Sequence, residues 1–86
     1  MTLEQEWTNK IKKNLIGRKI TNVIYIPLKE VKDNYWSQRP IAIELDDGNW
    51  IYPTQDDEGN DGGSMFTTYK DLPIIPVLQE EDGEWI

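Results

Sequence analysis

Cysteine and histidine are both absent from these 86 residues, phenylalanine occurs once, and no apolar run approaches the roughly 18 residues needed to cross a membrane. The first absence excludes disulfides and thiolate metal sites. The second removes imidazole as a general base and as the usual nitrogen ligand of zinc. Carboxylates, Lys10, tyrosines and Ser/Thr hydroxyls are left for chemistry, so an enzyme is not expected. No apolar segment follows the first charges as it would in a secretory leader, and a soluble, cytoplasmic chain is the expectation. At this length one domain forms, hiding roughly 60% of the unfolded surface, so stability should be modest.

Positive charge is also scarce, and unevenly so. Residues 1–39 carry eight Lys/Arg against Glu4, Glu6, Glu30 and Asp33, a balance of +4; residues 40–86 carry Lys70 against twelve acids, a balance of −11, and the sum is the net −7. A chain polarised in this way is unsuited to neutralising a phosphate backbone, and no nucleic-acid partner is expected. The acidic half suits a cation or a basic partner, although such charge also serves simply to keep a small domain soluble.

Among the residues that are present, Leu3, Trp7, Ile11 and Leu15 recur every four positions, one slanted stripe on an amphipathic helix over residues 3–16. Thr2 and Gln5 have capping-box spacing, Glu4 and Glu6 fall in the first turns, Lys10, Lys12 and Lys13 in the last, and Gly17 stands where a helix stops. The helix dipole accounts for the three lysines, so no membrane contact is expected. From Arg18 the period changes to two: Ile20, Asn22, Ile24 and Ile26 alternate with Thr21, Val23 and Tyr25 up to Pro27, which is a strand. Residues 28–39 read as a long connection with one helical turn at Lys29 to Lys32. Within it, Tyr35, Trp36 and Arg39 are candidates for a binding surface, because Trp and Arg are frequent in interaction hot spots.

Ile41 to Leu45 and Trp50 to Pro53 flank Asp46-Asp47-Gly48-Asn49 and form a hairpin. An Asp47-Gly48 turn would pair Leu45 with Trp50. A turn through Asp46-Asp47 with Gly48 left-handed would pair Ile43 with Ile51, and is preferred because it gathers Ile41, Ile43, Leu45 and Ile51 on one face. Trp50 and Tyr52 then lie either beneath the N-terminal helix or on an exposed aromatic platform for a ligand. Further on, Met65 to Tyr69 makes a short strand and Leu72 to Leu78 an edge strand limited by Pro73 and Pro76. Residues 79–86 form an acidic tail that frays unless Trp85 docks.

The least ordinary stretch is Asp56 to Gly63, Asp-Asp-Glu-Gly-Asn-Asp-Gly-Gly. Four carboxylates this close cannot be buried without cations or donors, and Gly59, Gly62 and Gly63 allow tight turning. Neither register of a calcium loop fits: a start at Asp57 puts Gly59 at its third position, and a start at Asp56 puts Asp61 where glycine belongs. A generic, weak Ca²⁺ or Mg²⁺ site from Asp56, Asp57, Glu58, Asn60 and Asp61 remains, beside the preferred reading as a structural turn whose side chains bond its own backbone.

One helix followed by five short strands predicts a mostly β, α+β domain over residues 1–78. Its expected form is a small five-stranded antiparallel barrel or bent sheet, SH3-like, closed on one side by the helix, with an α+β roll as the alternative. Gly17-Arg18-Lys19-Ile20, Arg39-Pro40, Leu45-Asp46-Asp47-Gly48, Tyr52-Pro53, the acidic glycine-rich loop, Phe66-Thr67-Thr68 and Ile75-Pro76-Val77 together resemble a family of small uncharacterised bacterial proteins. The resemblance spans roughly residues 17–78 and its most specific part is the loop. It implies a bacterial, cytoplasmic protein and carries no catalytic residue or cofactor. The functional expectation is a monomeric, non-enzymatic domain that binds a protein or small ligand through Tyr35, Trp36, Arg39, Trp50 and Tyr52. The alternative is weak divalent-cation binding or a carboxylate-based metal-dependent hydrolase.

Overall fold

A computed structural model describes residues 2–81 and 84–85; what was expected of Asp82, Gly83 and Ile86 in the acidic tail lies outside the described residues. The elements run α1 (Leu3–Leu15), β1 (Ile20–Tyr25), α2 (Leu28–Asp33), β2 (Gln38–Arg39), β3 (Ile41–Leu45), β4 (Trp50–Ile51), β5 (Met65–Phe66), β6 (Ile74–Ile75), β7 (Leu78–Glu81) and β8 (Glu84–Trp85). All described pairings are antiparallel and fall into three small sheets, ordered β1-β3-β4, β2-β7-β8 and β5-β6. The chain is thus β-rich with helices, as expected, but its described strands do not close into a five-stranded barrel. Pro73 and Pro76 bracket β6 and hold it to two residues, and the loop after β4 interrupts any continuous ladder. No described helix is long and apolar enough to cross a membrane.

The capping box of α1 forms: Gln5 N–H donates to Thr2 Oγ1 at 3.1 Å, and Thr2 N–H donates to Gln5 Oε1 at 2.8 Å. Gly17, at φ +82, turns the chain out of the helix, and Arg18 Nε donates to the Asn14 carbonyl at 3.0 Å. The helix does not close the sheet, because the position expected for it is taken by α2. Val31 of α2 is fully buried against Ile26 and Ala42, with Trp36 and Trp85 packed around that cluster. No residue of α1 is buried. The Cα radius of gyration, 14.8 Å, exceeds the roughly 12 Å expected of a compact domain of this length, as a helix standing clear of the body would make it.

The β3-β4 hairpin adopts the preferred register, with Ile43 opposite Ile51 and Glu44 opposite Trp50. Gly48 is left-handed at φ +85; its N–H donates to the Leu45 carbonyl at 3.0 Å, and Asp47 accepts the Asn49 N–H at 3.1 Å. The Asn49 backbone N–H first, then the Asn49 side-chain amide at 3.1 Å and the Arg18 charge, hold the Asp47 carboxyl below its ordinary pKa. Trp50 and Tyr52 border a concavity that Glu30 of α2 also lines, and at 39% and 51% exposure they are not covered by the N-terminal helix. Among the described residues of the acidic segment, Gln79 pairs with Gln38 and Glu80 with Trp85, Leu78 just before it pairs with Arg39, and Trp85 packs against the core.

Candidate functional site

The acidic loop folds back on the strand that precedes β3. Asp61 is its anchor: Oδ1 accepts the N–H groups of Gln38 at 2.8 Å, Gly62 at 2.8 Å and Ser37 at 3.1 Å, while Oδ2 accepts the Ser37 hydroxyl at 2.6 Å. Burial pushes this carboxyl up, but the Ser37 hydroxyl and the three amides outweigh it and hold the pKa below the usual carboxylate value. Asp56 shapes the tip, accepting the Asn60 side-chain amide at 2.8 Å and the N–H groups of Glu58 at 3.0 Å and Asn60 at 3.2 Å. Those Asn60 bonds chiefly lower its pKa. Gly62 is required by space: a Cβ there would stand 2.5 Å from Pro40 Cδ and 2.6 Å from the Gln38 carbonyl. Gly59 is required by its dihedral, φ +71, and its carbonyl accepts the Trp36 indole N–H at 2.9 Å.

This latch completes one wall of a groove. Two adjoining concavities of about 330 and 270 Å³ share Ile26, Glu30 and Tyr52. The first continues over Ile24, Pro27, Ala42 and Trp50, the second over Asn34, Trp36, Thr54, Glu58 and Gly59. The Trp36 and Tyr52 rings meet in a tilted contact, 6.2 Å between centroids with 53° between planes. Trp36 is further tied by its indole bond to the loop, whereas Trp50, at 39% exposure, and Tyr52, at 51%, present ring surface to solvent. Glu30 and Glu58 are the acidic lining residues, and among the described residues no Lys or Arg lines either concavity. Such a surface is electron-rich from ring faces and negative from its acids.

Of the five binding candidates, Tyr52 lines both concavities, Trp50 the first and Trp36 the second, and the other two line neither. Tyr35, at φ +60 and 94% exposed, points away from it. Arg39 sits half-buried in β2, its Nε donating to the Ile26 carbonyl at 2.6 Å, so it braces the fold. The five loop residues considered for an ion divide as well. Asp56 and Asn60 bond to each other, Asp61 turns to residues 37, 38 and 62, Asp57 is exposed, and Glu58 joins the groove. Among the described residues no group of three or more acidic, His or Cys side chains is placed to hold a metal ion. Glu30 was missed, since a single acid on a short charged helix carries no signal of its own. The nearest hint was Val31 beside it, which once buried turns that helix toward the sheet. Comparison with protein-family models, with curated proteins and with solved structures finds no match to this chain.

Proposed function

We propose that this protein is a small non-enzymatic binding domain of the bacterial cytoplasm whose groove receives an organic ammonium or guanidinium group displayed by a basic partner. The observation that carries this is that Trp36, Tyr52, Glu30 and Glu58 line one concavity and Trp50 the adjoining one, which shares Glu30 and Tyr52, with no Lys or Arg among the described residues lining either. Aromatic faces attract a cation through their quadrupoles, by about 0.5–2 kcal/mol each depending on desolvation, and the lining carboxylates add long-range attraction. The larger concavity, about 330 Å³, lies at the lower end of ligand-pocket sizes and the smaller, about 270 Å³, just below it, enough for one side chain or a small cation. The excess negative charge of residues 40–86 favours the same kind of partner.

Tetramethylammonium is a minimal probe of this site. Titration followed by tryptophan fluorescence should saturate in about the millimolar range, as a few kcal/mol of binding energy gives. Trp50→Ala and Glu30→Gln should each weaken the response at least several-fold. Equal affinity in both variants and wild type would overturn the assignment.

A further inference from the structure

We infer that α1 is a self-association surface that pairs antiparallel with α1 of a second copy. Leu3, Trp7 and Ile11 are 70%, 58% and 52% exposed, and the helix has no buried residue. A thirteen-residue helix is marginal in water on propensity alone and ordinarily gains its stability by packing an apolar face.

The charges beside the stripe select the occupant. At about 100° per residue, Glu4 and Lys12 border it on one side and Glu6 and Lys10 on the other. An antiparallel two-fold brings each border against the same border of the second copy. A single register, with Thr8 opposite Thr8, sets Glu4 against Lys12 and Glu6 against Lys10 together. That register also seats Leu3 between Ile11 and Leu15 of the other copy, and Trp7 between its Trp7 and Ile11. A parallel pairing would bring the acidic turns together and the basic turns together, with the helix dipoles aligned against it. Because the stripe drifts by about 40° per step, the helices cross obliquely. The contact is therefore at the small end of specific interfaces, and association is micromolar. A reversible dimer would stand in place of the monomer expected from the sequence.

Sedimentation equilibrium on the full chain is the test. Wild type should rise from 10.1 kDa toward twice that mass with concentration, while Ile11→Glu stays at monomer mass. A Glu4→Lys/Glu6→Lys chain and a Lys10→Glu/Lys12→Glu chain should each be monomeric alone and dimerise when mixed. Isotope-filtered NMR on mixed labelled and unlabelled wild type keeps the idea testable if a charge variant loses its helix, and should link Leu3 methyls to those of Ile11 and Leu15. Any of four results overturns it: a wild-type mass fixed at the monomer value, an associating Ile11→Glu, Leu3-to-Leu3 contacts between copies, or binding of anionic vesicles by a chain that never self-associates.

Discussion

The N-terminal helix and the acidic loop are both charged surface segments, yet they are held in opposite ways. Every hydrogen bond described at the ends of α1 reaches three or four residues along the chain, such as Thr2 to Gln5 and Arg18 to Asn14. The bonds that fix the loop reach back across 23 or 24 residues, from Asp61 to Ser37 and Gln38 and from Gly59 to Trp36. Local bonding makes an element that can stand clear of the body and offer its face to something else. Non-local bonding makes one that cannot move without the groove moving too.

The contrast is broken most severely at Gly62. Gly62→Ala forces a methyl into Pro40 and the Gln38 carbonyl, so the loop must lift, at a cost of about 3 kcal/mol and a fall in Tm of at least about 12 °C. Gly59→Ala meets open space and only an unfavourable dihedral, so it should cost about 1 kcal/mol. Equal losses in thermal melts would mean that the close approach at Gly62 is not what holds the loop.

Asp61→Asn comes next. It keeps the shape but removes the charge that strengthens the bonds from residues 37, 38 and 62, and should cost about 1–2 kcal/mol at neutral pH, given partial exposure. The folded pKa of Asp61 lies below the ordinary carboxylate value, so its stabilisation is complete above that ordinary value and is lost as pH falls through the lower folded pKa. The wild type should therefore converge on Asp61→Asn in acid, below about pH 4. A difference that persists at pH 2 would assign the effect to packing.

The smallest effect belongs to the helix. Thr2→Ala removes a cap worth about 1 kcal/mol, and at concentrations where the chain is monomeric the loss should appear in far-UV ellipticity alone. The melting of the sheets, followed by near-UV signal, should stay within about 0.5 kcal/mol of wild type. A cooperative loss of both would show that α1 is coupled to the body after all.

The same distinction explains what was legible in the sequence. The capping box, the helix end at Gly17 and the left-handed Gly48 hairpin all depend on neighbours and could be read off the residues. The fate of the helix stripe could not, because periodicity reports that a face is apolar and says nothing about what competes to cover the core. Val31, one apolar residue in a charged six-residue helix, took that place. Composition showed that Asp56 to Gly63 was unusual and correctly suggested a turn bonded to backbone. That its anchor would be amides 37 and 38, and that Gly62 was needed for space and not for its dihedral, are consequences of tertiary contact. Trp36, Trp50 and Tyr52, singled out as aromatics, line the two adjoining concavities, while Arg39, singled out for its residue type, donates to the Ile26 carbonyl and Tyr35 stands exposed, placements that only tertiary contact decides.

A groove built for a cation recognises positive charge and not merely apolar bulk. Choline and its neutral isostere 3,3-dimethylbutan-1-ol separate the two, since they share shape and differ in charge. In a parallel NMR titration the indole N–H resonances of Trp36 and Trp50 should shift and saturate with choline, with the alcohol at least several-fold weaker. Equal shifts with both, or shifts with neither, would contradict a cation-binding groove.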